Sequence, residues 1–398
     1  MSLRLQPLVL AVVMGTVLAA SGCGAGADDA EALSTHHGEA TSSAAPAATL
    51  PAELTDRLDR AIEQAMIDAS IPGAVIGIRG PQGDYVRAFG VADKKTRAPM
   101  KVDVFTRIGS QTKTFTVTAV LRLADQGRLG LDDPISRFVS GVPRGDEITL
   151  RELARMQSGL ANYTNHPEFV GDLYSDPQRR FTPQELLDFA FSQPASFTPG
   201  DGFEYSNTNT LLLGLVVESV TGRPLADHLR DHVSGPLGMS DTTLPSDSEF
   251  PKPHAAGYTR QSLDGGETTA TDWNPSWAWA AGAMISTLHD MQIWAPALAN
   301  GALLTREMQQ QRLQTVDRFG DPAPTGYGLG VFNLGGWIGH NGSLPGYQTV
   351  SVFLPEEQTS LVLFVNTDIP VDGADPGTVL ATAVTTELSP GHVYAMGD

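Results

Sequence analysis

A hydroxyl and an amine three residues apart are the first groups in the chain with chemistry to offer. In Ser110-Gln111-Thr112-Lys113, a helical backbone puts both side chains on one face, so the amine reaches the hydroxyl without any loop rearrangement. Serine at its ordinary pKa is a poor attacker. A partly buried, neutral amine beside it can take its proton. The same residues also suit a helix N-cap followed by a first-turn surface charge. Tyr205-Ser206-Asn207 follows Pro199-Gly200 and precedes an apolar run at 211–220. A phenol can shuttle a proton to a leaving group, and an amide can orient both a lysine and a substrate carbonyl. Here too a plain reading exists, with Asn207 as the cap of the next helix and Tyr205 as a half-buried packing residue. The third candidate is His340-Asn341-Gly342-Ser343, entered from a short β-run at 337–338. A strand edge supplies backbone N–H groups, Gly342 permits close approach of a substrate chain, and His340 could equally be a turn residue with no role.

Other chemistries find no residues. No Gly-x-Ser-x-Gly elbow and no Gly-Lys-Ser/Thr phosphate loop occurs. His228 and His232 stand at i, i+4, but Leu229 takes the place of the zinc-protease glutamate, so a surface pair is expected and no metal site.

Positioning these groups needs a scaffold. Leu58, Ile62, Ala65, Met66 and Ala69 repeat at helical spacing and predict a helix over about 53–70. Strands at 74–79 and 84–89 flank Gly80-Pro81-Gln82-Gly83 as a hairpin. Short β-rich runs return at 331–332, 337–338, 347–354 and 361–366, before a closing helix at 375–388. Between the two β regions the chain is mostly helical, with apolar segments at 114–126, 183–191, 208–221 and 288–299; the first is read as amphipathic. The expected class is α/β in the α+β sense: one antiparallel sheet built from both chain ends, flanked by helices, with a helical subdomain inserted at about 105–310. A cleft belongs at that junction.

The chain has 398 residues, 45 acidic against 26 basic, and a net charge of −19. Without a run of Lys/Arg, that charge repels a phosphate backbone, so nucleic acid is excluded as a partner. With 41% hydrophobic residues, the chain can bury a sizeable core. The single cysteine, Cys23, can staple nothing internally. It follows Arg4, an apolar run at 8–20, and Ser21-Gly22. That run is too short to span a bilayer and has the layout of a signal peptide. Residues 1–23 are therefore expected to be a lipoprotein-type signal with Cys23 acylated. Residues 24–50, Ala/Ser/Gly/Asp-rich and carrying His36-His37, read as a flexible tether. The folded domain is expected over 51–390. Export follows, with lipid anchoring to the outer face of the bacterial cell membrane, or secretion. A monomer is expected.

Taken together, Ser110-x-x-Lys113, Tyr205-Ser206-Asn207 95 residues on, and His340-x-Gly342 another 135 on resemble, in order and spacing, the serine β-lactamases and penicillin-binding proteins. The branch with class C β-lactamases and serine D-Ala-D-Ala carboxypeptidases is the most similar. Connecting text is also similar to that branch, including 148–153, Ser158-Gly159-Leu160, Pro236-Leu237-Gly238-Met239 and 326–330. The resemblance implies that Ser110 is acylated, Lys113 takes its proton, and Tyr205 relays that proton to the leaving nitrogen. It further implies that Asn207 fixes the lysine and the substrate amide, that His340 stands beside Tyr205, and that the N–H groups of Ser110 and Ser343 hold the oxyanion. No metal or organic cofactor is implied. Two departures bear on substrate. His340 stands where many lactam-destroying relatives have lysine, and Val331-Phe332-Asn333 occupies the stretch where carboxypeptidases can carry a carboxylate-binding arginine. The expected activity is a serine hydrolase working through an acyl-enzyme on a small peptide or β-lactam, with D-Ala-D-Ala stem peptides as first choice. Lactam, ester or D-amino-acid amide hydrolysis are alternatives, as is a penicillin-binding sensor with little turnover.

Overall fold

Burial follows the helical repeat of Leu54, Leu58, Ile62, Ala65 and Met66, which line one side of helix α1 (Ala52–Asp68). The computed structural model describes residues 48–395. The expected signal, Cys23 and the tether as far as residue 47 lie outside the described residues. After α1 come strands β1 (Gly73–Gly80) and β2 (Gly83–Gly90). The middle of the chain supplies helices α2 (Thr112–Asp125), α3 (Asn207–Thr221), α4 (Trp279–Gly282) and α5 (Leu288–Asn300). It closes with β3 (Gly326–Tyr327), β4 (Phe332–Leu334), β5 (Trp337–Leu344), β6 (Tyr347–Leu354), β7 (Thr359–Val365) and helix α6 (Pro376–Leu388).

These seven strands form one antiparallel sheet in the order β2-β1-β7-β6-β5-β4-β3. The amino-terminal hairpin joins the carboxy-terminal strands through β1 and β7, with Ala74 opposite Val365. Ala74, Ile76, Ile78, Val350, Val352, Leu361 and Leu363 point to a core shared with α1 and α6. Val75, Phe353, Val362 and Phe364 point the other way, to the core of the inserted helices. Because both faces are covered, β6 and β7 are buried at every position, their polar residues Gln348, Thr349, Ser351, Thr359 and Ser360 included. Gly77 lets α5 lie close on β1, since a Cβ there would sit 2.5 Å from the Gln292 amide nitrogen.

Several expectations need correction. The strand edge expected at the third motif is longer than the run 337–338: the whole motif lies within β5, which runs on to Leu344 because β6 pairs along its length. The folded body begins before residue 51: the Asp84 N–H donates to the Ala48 carbonyl at 2.7 Å, and Leu50 is buried, because edge strand β2 offers unpaired backbone groups. It also outlasts residue 390, where Tyr394 is buried and the Trp337 indole donates to the His392 carbonyl. Helix α2 is not amphipathic; it is buried on nearly all sides because sheet and helices surround it. The inserted region is mostly helical as expected and also holds a short strand pair, Phe105–Arg107 antiparallel to Ile285–Thr287.

Candidate active site

Ser110 sits in a single 3-10 turn, Gly109–Gln111, that leads straight into α2. N–H groups in such a first turn have no partner within their own helix and point at whatever lies ahead. The turn is wedged against β5 by two glycines. Gly109 has φ +56°, and a Cβ there would fall 2.6 Å from the Ser343 nitrogen; a Cβ on Gly342 would fall 1.9 Å from the Ile108 carbonyl oxygen. Only backbone without side chains lets the two segments approach this closely. Gln111 pins the turn from below by donating to Thr349 Oγ1 at 2.7 Å.

One turn further, Lys113 is 0% exposed, which removes the surface-charge reading. Its Nζ lies 3.0 Å from Ser110 Oγ, 2.7 Å from Asn207 Oδ1 and 2.8 Å from the Ala281 carbonyl oxygen. Burial holds its pKa well below that of an ordinary lysine. The partners explain what a neutral amine does here. The amide oxygen of Asn207 and the carbonyl of Ala281 can only accept, so they take the two N–H bonds. The lone pair is left facing Ser110. Asn207 is itself oriented, because its Nδ2 donates to Thr164 Oγ1 at 3.2 Å and its backbone N–H donates to Asn162 Oδ1 at 3.2 Å. It is the first residue of α3 and not its cap, which is Ser206.

Tyr205 is half-buried, shares a hydrogen bond with Ser110, and turns its ring face to Lys113 Nζ at 4.9 Å. Burial raises its phenol above the ordinary tyrosine value, against the opposing effect of that hydrogen bond. Its ring packs edge-on against Tyr327 at 6.0 Å and lies 6.1 Å from His340. His340 is buried, with Nδ1 2.5 Å from the Asn341 carbonyl oxygen and Nε2 3.2 Å from Tyr327 Oη. A carbonyl only accepts, so Nδ1 carries the proton and Nε2 accepts from the tyrosine. Burial pushes the His340 pKa down to about 3, so the ring is neutral.

Ser343 is exposed on β5. The β5–β6 hairpin turns on Pro345-Gly346, so Leu344 and Tyr347 form its first pair and Ser343 faces Gln348. Alternation along an antiparallel ladder then directs the Ser343 N–H away from β6, toward Gly109 and Ser110. Beside this edge lies a cavity of about 240 Å³ whose wall includes Ser110, Asn207 and Ser343, with Tyr163, Phe169 and Trp277 across from them. Lys113, Tyr205, His340 and Gly342 are not part of that wall. The expected residues are thus brought together in two layers, with those three facing the cavity and the others behind. The arrangement can take a proton from Ser110 and hold an oxyanion between two backbone N–H groups.

Several participants carried no readable signal. Ala281 contributes a carbonyl, which every residue has, and Tyr163, Phe169 and Trp277 look like ordinary core aromatics. Thr164 and Asn162 stand in the short run 162–165 ahead of a helix, which marks a cap and nothing more. His228 and His232 contact each other at 4.6 Å, but they are not the expected surface pair, because His228 is buried where its helix packs on the core; no cluster of metal-ligating side chains occurs among the described residues.

Comparison with known proteins gives the family and the fold. The Beta-lactamase family model matches residues 58–384. The chain belongs to that family. It is 39% identical over 204 residues to esterase EstB of Burkholderia gladioli, covering 48% of this chain and 51% of the esterase. It is 30% identical over 345 residues to a D-aminopeptidase of Cereibacter sphaeroides, covering 84% of this chain and 64% of that enzyme. The chain therefore spans between half and two thirds of these two relatives. Among solved structures, a D-stereospecific amidohydrolase from Streptomyces sp. superposes with a TM-score of 0.74 at 31% identity, covering 84% of this chain and 98% of the other. The protein is a serine hydrolase of the β-lactamase and penicillin-binding fold.

Proposed function

We propose that this β-lactamase-family protein hydrolyses small amides or esters of D-amino acids through an acyl-enzyme on Ser110. One observation carries the choice among family activities: the cavity wall contains no lysine, arginine, aspartate or glutamate. A carboxypeptidase or lactamase must hold a substrate carboxylate, and desolvating that charge without a partner is expensive. The third motif does not help, because His340 is neutral. An uncharged leaving group opposite an apolar acyl side chain suits such a wall better, and Tyr163, Phe169 and Trp277 offer aromatic surface for one. The names of the D-aminopeptidase and amidohydrolase relatives favour the D-amino-acid class, and the esterase relative favours the ester alternative. Cleavage of D-Ala-D-Ala stem peptides, the first choice from sequence, becomes the second reading.

The chemistry runs in two halves. Ser110 Oγ attacks the carbonyl carbon as its proton passes to Lys113 Nζ, and the N–H groups of Ser110 and Ser343 hold the oxyanion, worth about 3–4 kcal/mol of barrier per donor. Collapse breaks the bond to the leaving nitrogen or oxygen. That atom receives the proton from Lys113 by way of Tyr205 Oη. Water then attacks the acyl ester, gives its proton to the same base, and Ser110 leaves with a proton restored.

A panel of D-phenylalanine amide, a D-Ala-D-Ala peptide, a p-nitrophenyl ester and nitrocefin ranks the classes. Turnover of the amide or ester above the peptide is expected; D-Ala release as the fastest reaction overturns the choice. A persistent mass adduct with a β-lactam and no turnover of any substrate would point to a sensor. Export and acylation at Cys23 belong to the same reading; an unchanged precursor pattern under globomycin removes the acylation and leaves ordinary secretion.

A further inference from the structure

One chain of hydrogen bonds borders the cavity and takes no part in acyl transfer. Asp368, in the segment after β7, is 7% exposed and accepts from the Gly346 N–H at 3.0 Å, from Gln261 Nε2 at 2.5 Å and from Thr259 Oγ1 at 3.1 Å. None of these donors is charged. Burial raises the Asp368 pKa, and the hydrogen bonds oppose that rise. A carboxylate can only accept, so it turns the Gln261 amide nitrogen toward itself and leaves Oε1 pointing the other way. There Tyr174 Oη donates to Oε1 at 3.2 Å.

Gln261 and Tyr174 both line the cavity, as do Leu344 and Pro345 of the hairpin that Asp368 grips through Gly346. Donation to a carboxylate shifts electron density toward the far oxygen of the amide. That oxygen has two lone pairs, and Tyr174 uses one. A wall without charged side chains therefore presents one polarised acceptor, backed by a buried negative charge that no cation neutralises. In a poorly solvated space such a field favours a cationic donor over a neutral one.

We propose that Gln261, turned and polarised by Asp368, binds the α-ammonium group of an amino-acid substrate. Gln261 is then a specificity residue and Asp368 a positioning residue acting through it. The assignment deepens the amide and ester reading above and rests on it.

The test compares the methyl esters of D-phenylalanine and 3-phenylpropionic acid, which differ only by the amino group, on the native protein, Asp368→Asn and Gln261→Met. The native protein should prefer the amine-bearing ester. Each variant should raise its KM roughly tenfold, the size of one charge-assisted hydrogen bond, with kcat and the amino-free ester unchanged. Equal losses on both esters, as a purely structural clamp would give, overturn the proposal, and so does a native protein indifferent to the amino group. If Asp368→Asn fails to fold, Gln261→Met decides alone. Ester turnover without turnover of D-phenylalanine amide defeats the amide reading while the ester pair still judges this one. Turnover of neither ester defeats both.

Discussion

The two faces of the central sheet are built on opposite principles. Between the sheet and helices α1 and α6, the core is made of residues such as Leu58, Ile62, Leu363 and Val384, each at 0% exposure. On the other face α2 buries Thr112, Lys113, Thr114, Thr116 and Thr118 in succession along a single helix. Every one of these has a named partner: Thr112 Oγ1 accepts from the Met284 N–H, Thr114 Oγ1 from the Trp294 indole, and Thr118 Oγ1 from Arg312, while Thr116 Oγ1 donates to the Ala280 carbonyl. Apolar packing would cover α2 at lower desolvation cost, and matched hydrogen bonds at best offset that cost. The difference teaches where the fold keeps its chemistry. One face is filled by apolar volume, and along α2 on the other the lysine and these threonines each meet a particular partner.

That contrast can be broken most severely at the polar face. Ser110→Ala or Lys113→Ala should reduce kcat/KM by on the order of 10⁴-fold or more and abolish labelling by a fluorescent penicillin, while the far-UV spectrum stays native. Continued labelling of the lysine variant would put the base elsewhere. Gly342→Ala comes next. Its Cβ would collide with the Ile108 carbonyl and push β5 away from the 3-10 turn, so kcat should fall by about 10²-fold, the cost of one displaced oxyanion donor. A kcat within error of the native value would show that β5 is not the oxyanion edge.

On the apolar face the signs reverse. Leu363→Ala should cost about 2–5 kcal/mol in denaturant unfolding, because it leaves a cavity in a close-packed core. Its kcat below the melting range should match the native protein, and a matching loss of kcat would erase the distinction between the faces.

Proton linkage sharpens the comparison further. Lys113 must be neutral to act as base, so kcat/KM should rise with pH through a lysine pKa lying well below its ordinary 10.5. His340 has its pKa lowered from 6.5 to about 3. Between those values the unfolded chain binds a proton that the folded one refuses. The stabilisation is full above 6.5 and lost as pH falls toward 3, at up to about 1.4 kcal/mol per pH unit. His340→Gln should reduce that slope in denaturant melts at pH 7 and pH 4, leaving the share of His228, which burial lowers to about 4, and an unchanged slope would assign it wholly to other groups. The smallest effect is expected at Ile67, 72% exposed on α1, where Ile67→Lys should move stability by less than about 0.5 kcal/mol in either direction.

Much of the layout was legible because it is local. The spacing of Leu58, Ile62 and Ala65 marks a helix wherever the chain goes, and Ser110 and Lys113 meet because a helical turn brings residues three apart together. The residues of the cavity were not legible in the same way. Phe169 and Trp277 are aromatic, and nothing local separates a cavity wall from a packed core. The extent of β5 was missed because its later residues, including two glycines at 339 and 342, have little intrinsic strand preference; pairing with β6 makes them a strand.

The sequence by itself determined the periodic helices, the amino-terminal hairpin and the identity of the serine, lysine, tyrosine and asparagine, since these depend on side-chain type and on spacing within a turn or two. Tertiary structure alone decided that the lysine is dry, that an alanine carbonyl and an asparagine oxygen aim its lone pair at the serine, and that a buried aspartate turns Gln261 toward the cavity. Solvation and hydrogen-bond direction are set by neighbours that come from distant parts of the chain. They exist only once the sheet and the inserted helices have closed on one another.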